Sequence, residues 1–135
     1  MDKFNKMLAS GEPMVLSVFR FITGLLLFQY GVAKLFKFPP LPMFAKVELM
    51  SLYGAAGSLE LVLGALLMIG LLTRPVAFIL SGEMAFAYFM GHHPKGFIPL
   101  INGGNAAILF CFACLYFFFA GGGMWSADAM MGKKR

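Results

Sequence analysis

At 135 residues the chain is long enough for one compact unit and too short for two domains. It is 60% hydrophobic, 13% charged and has a mean hydropathy of +0.81, whereas a soluble domain is roughly a quarter charged, so water is excluded as its main solvent. The formal charge of +5 lies at the chain ends and between apolar blocks, with no basic stripe, which argues against nucleic acid as a partner.

Four apolar blocks follow one another at about 14–33, 52–72, 75–91 and 102–121. A spanning helix needs about 20 residues, and the third block is at the short end of the range. The blocks predict an all-α fold, one membrane domain over 1–135 built as an antiparallel bundle of four transmembrane helices. The first apolar run has no Ala-x-Ala cleavage site and is followed by three more, so it reads as a helix and not as a cleaved signal peptide. The first loop contains Pro39, Pro40 and Pro42, and then residues 43–50 predict a short interfacial helix with Met and Phe in the membrane surface. Leu72, Thr73, Arg74 and Pro75 form a very tight turn that forces the second and third helices to be antiparallel neighbours. The third loop, from His92 to Pro99, is expected at an interface. Lys3, Lys6, Arg74, Lys133, Lys134 and Arg135 fall on one side, against Lys34, Lys37, Lys46 and Lys95 on the other, which predicts both termini in the cytoplasm.

Ionisable groups inside apolar helices are functional candidates, because an unpaired charge in hydrocarbon is costly. Arg20, Gly24, Leu27, Gly31 and Lys34 share one face of the first helix, and Tyr53, Gly57, Glu60, Gly64 and Leu67 share one face of the second. The glycines let the two faces approach closely. At 1.5 Å per residue, Arg20 lies roughly 9 Å and Glu83 roughly 12 Å in from the same side, which predicts an Arg20–Glu83 pair. Glu60 lies roughly 12 Å in from the opposite side, where Lys34 reaches down towards it. Glu60 is the candidate catalytic proton carrier. Arg20, Lys34, Glu83, His92, Asn102 and Asn105 are candidates for holding a ligand. The alternative for each ion pair is a device that only fixes helix register. No third ligand with suitable spacing accompanies His92 and His93, so no metal site is expected. Cys111 and Cys114 form a C-x-x-C within an apolar run and read first as small buried hydrophobes, with a membrane thiol enzyme as the alternative.

These residues, in this order, resemble the DoxX family of small four-helix membrane proteins along nearly the whole chain. The resemblance is carried by Arg20-x-x-x-Gly24, Tyr30-Gly31-x-x-Lys34, Gly57-x-x-Glu60-x-x-x-Gly64, the run Gly70 to Pro75, the run His92 to Gly104 and the run Gly121 to Asp128. The family usually places an acidic residue directly after the Asn-Gly-Gly stretch, where this chain has Asn105, which leaves Glu60 as the main acidic candidate near that side. The resemblance implies a bacterial inner-membrane protein, multi-pass, and a subunit linked to quinone-dependent oxidation of sulfur compounds, with quinone as a possible cofactor. No flavin, haem or iron–sulfur motif occurs, so electrons would come from a soluble redox partner protein and the chain would not be a complete enzyme. The alternatives are a scaffold or assembly factor that uses the basic tail to reach a partner or anionic lipid, and a small transporter or lipid-handling protein that would need to act as a homo-oligomer.

Overall fold

The computed structural model describes residues 1–48 and 50–132. Leu49, within the expected interfacial helix, and the basic tail Lys133, Lys134 and Arg135 lie outside the described residues. The fold is all-α, with no strand among the described residues. Helix α1 runs over Asp2–Phe36, α2 over Leu52–Ile69, α3 over Thr73–Ala87, α4 over Pro99–Asn102, α5 over Asn105–Ala120 and α6 over Ala127–Met130.

Helix α1 starts at Asp2, well before the apolar block, because the mixed polar and apolar residues ahead of Met14 continue the helix through Pro13. Its 35 residues extend about 52 Å, far more than a bilayer needs. Lys37 ends the helix with φ 59°, and its ammonium donates to the carbonyls of Lys34 (2.9 Å) and Val47 (2.6 Å). Among the described residues of the first loop, the expected interfacial helix is a single 3₁₀ turn, Pro42–Phe44, with Pro42 at its first position.

Ser51 caps α2, accepting from the Gly54 amide at 3.1 Å, and Gly70 closes it in the left-handed conformation at φ 73°. Helix α3 continues into one π turn, Tyr88–His92, so residues 73–92 form about 30 Å of unbroken helix. By length and composition α1 and α2 are apolar enough to cross a membrane, and α5 is a shorter apolar helix.

Glycines set the tightest contact. A Cβ on Gly31 would stand 2.5 Å from the Leu61 amide nitrogen, and one on Gly64 would stand 2.8 Å from that of Phe28. These are backbone atoms, so α1 and α2 pack antiparallel at a distance only glycine allows. Helices α3 and α5 form the second close antiparallel pair, tied by Ser81 to Cys111 and by Arg74 to the carbonyls of Phe118 and Phe119. Phe19 against Phe117 and Tyr30 against Phe110 join α1 to α5 and close the ring of four. Leu27, Leu67, Leu80, Cys114 and Phe117 fill the centre. Phe21, Ile22, Leu59, Val62, Ile79, Phe86, Leu109 and Phe112 face outwards and exposed, an apolar belt far beyond what a soluble monomer shows.

The end of the bundle near the α2–α3 turn is closed by the C-terminal segment. Asp128 accepts from the amides of Leu72 (2.8 Å) and Thr73 (2.9 Å), supplying from 55 residues away the cap that α3 lacks locally. Replacing Asp128 with Ala leaves two amides at a helix start without their acceptor. A loss of about 1 kcal/mol is expected in mixed-micelle unfolding, together with faster hydrogen exchange at Leu72 and Thr73.

Candidate functional site

The centre of the bundle holds a lysine and two carboxyls. Lys34 lies one turn beyond Gly31 on α1, and its Cβ meets Gly57 on α2. Helical side chains lean towards their own N-terminus. In an antiparallel pair, Lys34 therefore leans down and Glu60 leans up, and they meet. The ammonium donates to Glu60 Oε1 at 2.8 Å and Oε2 at 3.1 Å. Glu60 is 1% and Lys34 8% exposed, so the pair is out of contact with solvent. The ammonium also lies 5.5 Å from the Phe44 ring and 5.9 Å from that of Tyr30, where cation–π attraction replaces some lost hydration.

Glu83 enters the same cluster from α3. Both of its carboxyl oxygens are buried, and among the described residues no N–H or hydroxyl donates to either. Its carboxyl lies within electrostatic reach of Glu60, of Lys34 and of the Cys114 thiol. Two carboxylates beside one ammonium would leave a net negative charge in the bundle centre. One ammonium, one carboxylate and one protonated carboxyl sum to zero charge, the state that a low-dielectric interior favours. Charge balance in such an interior favours a proton on one of the two carboxyls and leaves one carboxylate able to take another.

The expected Arg20–Glu83 pair does not form. Arg20 lies beside the last turn of α2, whereas Glu83 is ten residues into α3, about 15 Å along it. The guanidinium leans away from Glu83 and donates to the carbonyls of Leu67 (2.9 Å), Met68 (3.2 Å), Gly122 and Trp125 (3.0 Å). It thus ties α1 to the end of α2 and to the glycine-rich segment after α5. Gly123 makes that crossing possible: at φ 86° it passes so near α1 that a Cβ would stand 2.4 Å from Ser17 Oγ.

His92 and Asn102 lie at the opposite end, away from Glu60. Asn102 is buried, donates to Tyr88 Oη at 3.1 Å and to the Gly96 carbonyl at 2.9 Å, and accepts from the Gly104 amide at 2.8 Å. His92 Nδ1 is 3.2 Å from the Asn102 carbonyl, and its ring stacks on Tyr88. These contacts hold the loop between the π turn and α5. Asn105 is the exposed first residue of α5. Lys34, Glu60 and Glu83 are thus brought together, while Arg20, His92, Asn102 and Asn105 are placed elsewhere.

Sequence reasoning did not single out Ser81 or Asp128. The Ser81 hydroxyl donates to the Cys111 carbonyl at 2.8 Å and lies 3.5 Å from Cys111 Sγ. Its place two residues before Glu83 puts it on the same helix as the cluster, a signal the sequence did hold. Among the described residues, the surface concavities include two that do not reach the cluster. One, of about 450 Å³, lies between the first turns of α1 and Tyr116; the other, of about 280 Å³, lies beside Arg20 and Trp125.

The DoxX family profile matches residues 15–93, more than half of the chain, and that stretch contains Lys34, Glu60 and Glu83. The chain belongs to the DoxX family. A Haemophilus influenzae protein, named only as an uncharacterised protein, is 38% identical over 134 residues, covering 91% of this chain and 95% of that relative. No solved structure matches the chain. As a DoxX protein with an apolar outer belt and an ionic centre, it is membrane-associated.

Proposed function

We propose that this DoxX protein is a four-pass inner-membrane subunit that supplies and takes up protons as an isoprenoid quinone is reduced or oxidised beside it. The observation that carries this reading is the buried Lys34–Glu60–Glu83 cluster, which sets two carboxyls against one ammonium in the middle of an apolar bundle. An ion pair that served register alone would need one carboxylate for one lysine. The second carboxyl adds proton capacity without adding a contact that closes the fold.

Quinone reduction consumes protons as well as electrons, and both have to reach a ring that stays in lipid. In this reading Glu60 and Glu83 pass a proton between them, and Lys34 holds the charge balance as the proton moves. Phe and Met side chains of the outer belt meet the isoprenoid tail. Electrons come from a soluble redox partner, for which the first turns of α1, extending past the length a bilayer needs, offer a surface. The excess of Lys and Arg on the side of the termini supports a cytoplasmic position for that surface.

Mass spectrometry of lipids that co-purify in mild detergent tests the reading. Wild type is expected to retain quinone near one per chain, and Glu60→Gln to lose it. Bulk phospholipid alone in both samples overturns the proposal.

A further inference from the structure

The pair Cys111 and Cys114 adjoins the proton cluster. Both lie on α5, three residues apart and therefore on one face, which packs against α3 where Ser81 and Glu83 stand. Cys114 is fully buried and within electrostatic reach of Cys111 and of the Glu83 carboxyl. Cys111 is half-buried, next to the exposed Phe112 of the apolar belt. Cys114 thus lies near the proton acceptor, and Cys111, against Ser81, is the more exposed of the two thiols.

We propose that Cys111 and Cys114 form a reversible dithiol–disulfide couple that gives its electrons to quinone, with Glu83 receiving the thiol proton. This rests on the quinone-linked reading above and names the dithiol within this chain through which the soluble partner's electrons reach the quinone, the partner reducing the disulfide again after each turnover. In the oxidation two S–H bonds break and one S–S bond forms. Two electrons pass to the quinone, and the two protons released equal those the quinol takes up. Glu83 takes up the proton of Cys114 as its own passes to the Glu60 carboxylate.

Helix geometry allows the bond and makes it labile. Residues three apart in an α-helix have Cα atoms about 5 Å apart, inside the disulfide range of about 4.4–6.8 Å. Their Cβ atoms stand about 5–6 Å apart against the roughly 3.5–4.5 Å a disulfide needs, so the turn must tighten. Ser81 helps it do so. Its hydroxyl donates to the Cys111 carbonyl, the acceptor that the Leu115 amide uses in a regular helix, and so shares that acceptor where the turn has to move. A disulfide formed under strain is the more easily reduced, which suits a working couple and not a permanent staple.

The test uses the full chain, purified in mild detergent and reduced with a phosphine. It is exposed to a short-tailed benzoquinone, quenched in acid, unfolded and treated with a maleimide, and its intact mass is read. Two maleimides per chain are expected before exposure and none after, with one quinol formed per chain. Cys111→Ser and Cys114→Ser are each expected to keep their remaining thiol and to form no quinol. Glu83→Gln is expected to slow the oxidation about a hundredfold while leaving its end point unchanged. Two maleimides after quinone exposure overturn the couple, even where diamide closes the bond. That failure is distinct from failure of the functional reading: quinone that co-purifies and is lost in Glu60→Gln, beside thiols that stay reduced, overturns the couple alone. Without co-purifying quinone, disulfide formed on adding it upholds the couple.

Discussion

Replacing Lys34 with Met is expected to cost about 3–5 kcal/mol of stability, the largest single effect in the molecule. The methionine fills much of the lysine's volume, so the loss is electrostatic. Two carboxyls then share the bundle centre with no cation, and the carboxylate that accepted from Nζ at 2.8 Å and 3.1 Å has no donor in its place. The surroundings cannot substitute: Glu60 is 1% exposed, and Phe44 and Tyr30 are the rings beside the lost ammonium. Adding Glu60→Gln to Lys34→Met removes the orphaned charge and is expected to recover most of the loss, since the cost arises from leaving one partner buried alone. Equilibrium unfolding of the two variants in mixed micelles reads both values. A single variant within about 1 kcal/mol of wild type would show that water reaches the site and screens it as at a surface.

How far the sequence foretold this site depends on distance along the chain. The Lys34–Glu60 contact was legible because both residues lie on glycine-rich faces of consecutive helices, and the spacing 20, 24, 27, 31, 34 brings Lys34 to the seam. The all-α class and the tight turn at Leu72 to Pro75 were legible from hydropathy and proline. Arg20–Glu83 was misjudged because depth was counted between apolar block ends. Helix α1 has no end at Met14, and the lean of the Arg20 side chain carries its charge towards Gly122 and Trp125. Glu83 was therefore given a cation of its own, and its approach to Glu60 and Lys34 was missed. No local pattern announces that Asp128 caps α3, because cap and helix are 55 residues apart. The same holds for Asn102, whose partners Tyr88 and Gly96 make it a clasp for the loop.

Gly31→Leu is expected to lower stability by about 3 kcal/mol, the upper part of the range for overpacking, because what it strikes cannot yield. A Cβ there stands 2.5 Å from the Leu61 amide nitrogen and 2.8 Å from the Gly57 carbonyl oxygen, atoms fixed in the helix ladder. The whole of α1 has to move off α2, and the movement reaches Lys34, whose stem lies against Gly57 one turn away. The ion pair is thereby stretched in a medium where a separated charge is costly, so the steric and electrostatic losses reinforce each other. Gly82→Ala provides the contrast: nothing stands within 4 Å of its Cβ position, and relief of glycine's backbone entropy is expected to stabilise α3 by about 0.5–1 kcal/mol. Both are read in the same micelle unfolding assay. Equal behaviour of the two variants would mean that α1 and α2 do not meet backbone to backbone, and the geometry that aims Lys34 at Glu60 would lose its cause.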